Sequence, residues 1–140
     1  PDIMKKAAFI FGLFLITCTV KAQETVNVTV TLENVLNDRG TLLAALHTSD
    51  TFMKGAGLIN LKEAAKTGVI ELTFENVEPG TYAIMVLHDE NDNQRMDYQS
   101  NGMPLENYGM SGNEMAMGPP TFADAQFEVN ADDVDLTIRF

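Results

Sequence analysis

The amino-acid sequence predicts an all-β fold, an antiparallel two-sheet β-sandwich of about seven strands with one long loop. Three observations predict it. Apolar and polar residues alternate through most of the chain beyond residue 23, as in strands with one buried face. Two runs are apolar on both faces, as central strands covered twice would be. Turn chemistry separates the runs: "NDRG" at 37–40, and "EPGT" at 78–81, where Pro79 and Gly80 suit a tight reversal.

Each element follows in order. In "TVNVTVTL" Val26, Val28, Val30 and Leu32 share one face, opposite Thr25, Asn27, Thr29 and Thr31. "TLLAALH" (41–47) and "TYAIMVLH" (81–88) are the two doubly apolar runs. Between them, "VIELTFE" sets Ile70, Leu72 and Phe74 against Glu71, Thr73 and Glu75. "AQFEV" aligns Ala125, Phe127 and Val129, and "VDLTIRF" aligns Val134, Leu136, Ile138 and Phe140. A further strand is expected near 58–64, although "LKEAAK" (61–66) also suits one helical turn. Residues 98–123, rich in Gly, Asn, Met and Pro, show little periodicity and read as a loop folded over the doubly apolar strands.

The beginning of the chain speaks to compartment. Lys5 and Lys6 precede an apolar stretch from Ala7 to Val20 and then "VKAQ", the layout of a secretory signal peptide cut after Ala22. "PDI" has no targeting logic, so Met4 fits as the true start. The apolar stretch is shorter than the roughly 20 residues a membrane span needs. The expected organisation is a leader, 1–22, and one domain, 23–140, exported to the periplasm or secreted. Cys18 is the sole cysteine. A lipoprotein leader would acylate it, but Thr17 stands where that chemistry usually wants Gly or Ala, so anchoring through Cys18 is the alternative to free export. The domain itself can form no disulfide and must stand on its core.

Without residues 1–22 the chain keeps 19 acids and 6 bases, a formal charge of −13 on 118 residues. Such a surface repels nucleic acid and anionic membranes and attracts cations.

The cation question centres on "DENDNQRMD". Calcium takes six to eight oxygens, which a loop supplies at alternate positions as it curls round the ion. With Asp89 as position 1, oxygen-bearing side chains fall at 3 (Asn91), 5 (Asn93) and 9 (Asp97), and Arg95 at 7 would offer its carbonyl. Two positions depart from an EF-hand loop: Gln94 replaces the turn-making glycine at 6, and Ser100 replaces the bidentate glutamate at 12. Asn- and Asp-rich turns also form without metal, because these side chains bond their own backbone.

Other chemistry is thinner. His47 and His88 each end a doubly apolar run, and side by side they would suit copper or zinc. Imidazole ligation still needs a third partner. Met96, Met103, Met110, Met115 and Met117 crowd the long loop; packing explains them better than Cu(I) binding. Tyr98 and Tyr108 are available to stack on a small molecule or glycan held under that loop. No "GxSxG" elbow occurs, and Ser49, Ser100 and Ser111 have no pattern tying them to a His and an acid, so no enzyme is expected.

Three blocks taken together, "EPGTYAIMVLHDENDNQRMD", "NYGMSGN" and "GPPTFADAQFEV", resemble the bacterial domain-of-unknown-function family 2141. The resemblance runs from about Val26 to the C-terminus. It implies an exported single-domain sandwich of transthyretin-like or Ig-like type, and no assigned activity. The family's acidic segment looks like H-D-x-N-x-N-G-x-x-D; His88, Asp89, Asn91, Asn93 and Asp97 match it, and Gln94 departs at the glycine. Met110 stands where the family's "YGFS"-like block usually has an aromatic. The function expected is therefore a non-enzymatic exported sandwich with a weak calcium loop at 89–97. The alternatives are a ligand or glycan module built on 98–123, and a copper or zinc protein built on His47 and His88.

Overall fold

The computed structural model describes residues 19, 21–113 and 119–140. Most of the expected leader, Cys18 included, and Met115 and Met117 lie outside the described residues. The described chain runs β1 (Val26–Val35), β2 (Thr41–His47), β3 (Ile59–Ala64), β4 (Gly68–Val77), β5 (Gly80–Asp89), β6 (Tyr108–Met110), α1 (Phe122–Ala125), β7 (Phe127–Val129) and β8 (Val134–Arg139). One sheet has the order β4-β1-β8; the other has β3-β2-β5-β6, with β7 beside the first part of β5. The protein is an all-β sandwich.

Alternation builds the core as expected. Val28, Val30 and Leu32 from β1, Leu42, Ala44 and Leu46 from β2, Leu72 and Phe74 from β4, and Ile84 and Val86 from β5 meet between the sheets. Burying the valine, leucine, isoleucine and phenylalanine side chains contributes about 1.5–3 kcal/mol each, and Ala44 less. Bulges keep the strand ends in register with that core. Between Leu32 and Val35, and opposite the Val26–Val28 step of β1, the pairing of β1 with β4 shifts. Asn34 and Asn76 sit there at φ 64 and 56, a region that Asn visits more readily than most residues. A one-residue shift reverses which face a side chain takes, so Val35 and Val77 also point inward.

Three details differ from the sequence reading, and one choice it left open, between strand and helical turn at 61–66, is decided for the strand. The pairing of β8 with β1 is parallel, although the other ladders are antiparallel. "LKEAAK" supplies β3 rather than a helical turn, because residues 59–64 can pair along β2. Ala125 belongs to α1, not to the strand after it. The segment 98–123 contains β6, which pairs with Met85, Val86 and Leu87 of β5.

Double cover is confined to one stretch. Phe52, Met110, Phe122 and Ala125 pack on Ala83 and Met85, forming a second apolar cluster outside the five-stranded sheet. Leu43 and Ala45 on β2 stay half-buried. Ser111 closes the gap on the edge of β5 between β6 and β7. Its N–H donates to the Ile84 carbonyl at 2.9 Å, and its hydroxyl accepts from the Ile84 N–H, also at 2.9 Å, while donating to the Ala125 carbonyl.

Candidate functional site

β5 ends at Asp89, and the acidic loop begins there. Asp89 is fully buried. Its carboxylate turns back along the loop and accepts the backbone N–H groups of Asn93 at 3.2 Å and Gln94 at 2.7 Å. Asn91 Oδ1 accepts the Asn93 N–H at 3.2 Å, and Asn93 Oδ1 accepts the Arg95 N–H at 3.1 Å. These are short Asx turns, and they coil the segment. Asn91 Nδ2 and Asn93 Nδ2 both donate to Asp97 Oδ2 at 2.7 Å. Asp89, Asn91, Asn93 and Asp97 are thus drawn into one coil, as their spacing implied.

Gln94 does not prevent that coil. It adopts φ 62, inside the left-handed region, and Asp92 adopts φ 56. A residue with a Cβ pays about 1–2 kcal/mol for that conformation. Arg95 sits with its guanidinium 3.6 Å from Asp97 Oδ1, on the exposed side. The Asp97 carboxyl is held below the usual 3.8, chiefly by the Asn91 amide; loss of solvent is the next influence and opposes it, and Asn93 and the Arg95 charge add smaller lowering contributions.

Residues outside the segment hold it down. Glu106, nine-tenths buried, accepts the Glu90 N–H at 3.1 Å and the Asp97 N–H at 3.4 Å, closing the coil across its open side. The turn between β1 and β2 lies against it. Asn37 Nδ2 donates to Glu90 Oε1 at 3.0 Å, Arg39 bonds Glu90 Oε2 at 2.8 Å, and Thr41 Oγ1 donates to Asp92 Oδ1 at 2.7 Å. Gly40, at φ +71, allows this approach: a Cβ there would lie 2.0 Å from the Asp89 carbonyl oxygen. From β3, Lys62 Nζ reaches Gln94 Oε1 at 3.3 Å.

A model of the family described as uncharacterized proteins conserved in bacteria, DUF2141, matches residues 30–137. The chain belongs to this family. No curated protein and no solved structure matches it. The match covers the whole clasp of this DUF2141 chain, from Asn37 and Gly40 to Asp97 and Glu106. Neither Gly40 nor Glu106 stood out in the sequence. Gly40 looks like a plain turn residue, and Glu106 lies in an aperiodic stretch with no spacing to tie it to Asp89.

The expected two-histidine copper or zinc site does not assemble. His88 pairs with Leu42, and His47 pairs with Ala83. Leu42 and His47 are five residues apart on β2, about 17 Å at strand rise, and they point to opposite faces. His88 faces the core, fully buried beside the Phe140 ring at 6.2 Å. Its Nε2 donates to the Arg39 carbonyl at 2.7 Å, and Nδ1 has no partner among the described residues. His47 packs in the outer cluster, edge-on to Phe52 at 5.8 Å, with Nδ1 3.1 Å from Thr51 Oγ1. Burial is the larger influence on its pKa and lowers it below 6.5, against a smaller opposing bond from Thr51. Among the described residues no three His, Cys, Asp or Glu side chains form a metal-holding group. Any metal at the acidic loop must therefore use amide and carbonyl oxygens as well as carboxylates.

Neither Tyr98 nor Tyr108 lines either of two hollows on the sandwich. Tyr98 projects from a small hairpin, bridged to Pro104, and Tyr108 sits on the outer face of β6. A hollow of 280 Å³ between the sheets is lined by Leu58, Ile59, Asn76, Val77, Glu78 and Tyr82. Another, of 380 Å³, lies between the end of β1 and the start of β4. Of the loop methionines, Met110 packs in the outer cluster and Met103 is exposed. No helix among the described residues is long and apolar enough to cross a membrane.

Proposed function

We propose that this DUF2141 chain is an exported, non-enzymatic β-sandwich whose 89–97 loop binds calcium weakly and is stiffened by it. One observation carries the reading: the Asn91 and Asn93 amides converge on Asp97 Oδ2 inside a coil that Gln94 completes at φ 62. Two N–H dipoles now offset the charge of Asp97, which is the work a cation would do there. Rotating each amide about its last torsion turns an oxygen towards the same point. That rotation gives up the bonds from the Asn93 and Arg95 N–H groups, so calcium competes with the clasp. With two carboxylates and this competition, the affinity expected is about 10⁻⁴ to 10⁻³ M, as in other extracellular modules.

Export is supported by the leader-like segment, and the absence of enzyme activity by the engagement of the polar groups. Ser111 is used up between Ile84 and Ala125, and the histidines stand on opposite faces of one sheet.

Thermal melts of the metal-stripped protein test the proposal, with calcium and with magnesium as control. At a tenfold excess over Kd, calcium stabilises the folded state by about 1.4 kcal/mol. For a domain of this size that raises Tm by about 5 °C. Asp97→Asn removes the rise. An unchanged midpoint in millimolar calcium, or an equal rise with magnesium, makes the loop a metal-free clasp and ends the calcium reading.

A further inference from the structure

We propose that Asn101, at the tip of the hairpin formed by residues 97–105, is a site of spontaneous deamidation, its side-chain amide lost to attack by the Gly102 backbone nitrogen. Asn101 is the one asparagine in the chain followed by glycine. At the other asparagines the following residue has a Cβ, which crowds the attacking nitrogen. Asn101 and Gly102 are both exposed, and a Cβ on Gly102 would meet nothing within 4 Å, so a ring has room to form.

Local geometry favours the electrophile. Gly102 sits at φ +83 after a turn closed by its N–H on the Gln99 carbonyl at 2.9 Å, the bulged hairpin turn that glycine suits. The Met103 N–H donates to Asn101 Oδ1 at 3.1 Å. This bond curls the side chain over the following peptide and stabilises the charge that builds on that oxygen under attack.

The reaction balances without a co-reactant other than water. The Gly102 nitrogen bonds to Asn101 Cγ, and the Cγ–Nδ2 bond breaks. Nδ2 leaves as ammonia, carrying the proton lost by the Gly102 nitrogen, and a succinimide remains. Water then opens either carbonyl, leaving an aspartyl or an isoaspartyl linkage. Both add a negative charge beside the acidic loop, and the second lengthens the backbone where Tyr98 and Pro104 pair.

The test is peptide mapping by mass spectrometry after the folded protein is held in warm, mildly alkaline buffer, in parallel with the protein in denaturant and with folded Asn101→Gln. The expected result is exchange of NH2 for OH, with isoaspartate, at position 101 of the folded chain. It runs at least about tenfold faster than at any other asparagine, a barrier difference of about 1.4 kcal/mol. The earliest acidic charge variant is absent from Asn101→Gln. Conversion only in denaturant overturns the proposal, since the Gly102–Gln99 bond would then be shielding the nucleophile. So does faster conversion at another asparagine, or none in either state.

Discussion

β5 enters the sandwich at Gly80 and leaves it at Asp89, and different forces hold its two halves. The first half is packed. Ile84 faces the main core, Ala83 and Met85 carry the outer cluster of Phe52, Met110, Phe122 and Ala125, and Ser111 seals the edge. The second half ends in a clasp of directional bonds, from backbone N–H groups to Asp89 and Glu106 and from amides to Asp97. Apolar contact is non-directional, so the first half depends on volume and tolerates changes of detail. A clasp depends on particular atoms at particular angles, and it can exchange one set of partners for another. The difference teaches where a switchable site belongs: at the end where the strand is held by polar bonds.

Paired substitutions test that division most severely. Phe52→Ala should cost about 3–4 kcal/mol in denaturant unfolding, as for other buried aromatics, and leave the calcium response intact. Gly40→Ala should cost about 3 kcal/mol, since it forces a Cβ into the Asp89 backbone at a left-handed position, and should abolish the calcium response as well. A calcium response lost in Phe52→Ala, or kept in Gly40→Ala, would show that the two halves are one unit.

A gain is expected at the clasp from Gln94→Gly. Relief of the left-handed strain is worth about 1 kcal/mol, less a few tenths for the freer unfolded chain. Denaturant midpoints measure it, and a loss of stability would mean that the Gln94 side chain, through Lys62, matters more than its backbone.

The smallest effect separates the halves by pH. The folded pKa of His47, at the packed end, lies below 6.5. Both states are neutral above that value, so its contribution is complete there. Below it the unfolded chain takes up the proton first, and stability falls until the folded pKa is passed. At the clasp, the folded pKa of Asp97 lies below 3.8, so its contribution is present above 3.8 and is lost as pH falls further. Melts across these ranges should show two separate declines, and His47→Gln should flatten the upper one only.

Some of this was legible residue by residue. The alternation in "TVNVTVTL" and "VDLTIRF" marks β1 and β8, and the oxygen spacing from Asp89 to Asp97 marks the coil, because each depends on neighbours a few positions away. β6 was not legible. Three residues carry no period, and Gly109 pairs with Val86 under the constraint that a Cβ would strike Ile138 Cγ2 at 2.6 Å. The histidines misled for a related reason. Each ends an apolar run, but only the pairing of Leu42 with His88 and of His47 with Ala83 says that they point to opposite faces.

By itself the sequence determined the strands that carry a clear alternation or a long apolar run, which faces are apolar, how acidic the chain is and where a polar loop leaves the sheet. These follow from side-chain chemistry repeated at a period of two, and from short-range bonds of Asn and Asp. Tertiary structure decided that β8 lies parallel to β1, that Gly40 and Glu106 close the loop, and that His47 and His88 stand apart. Such relations depend on which strand edges remain free and on the register of distant segments, and register alone sets the face on which a side chain emerges.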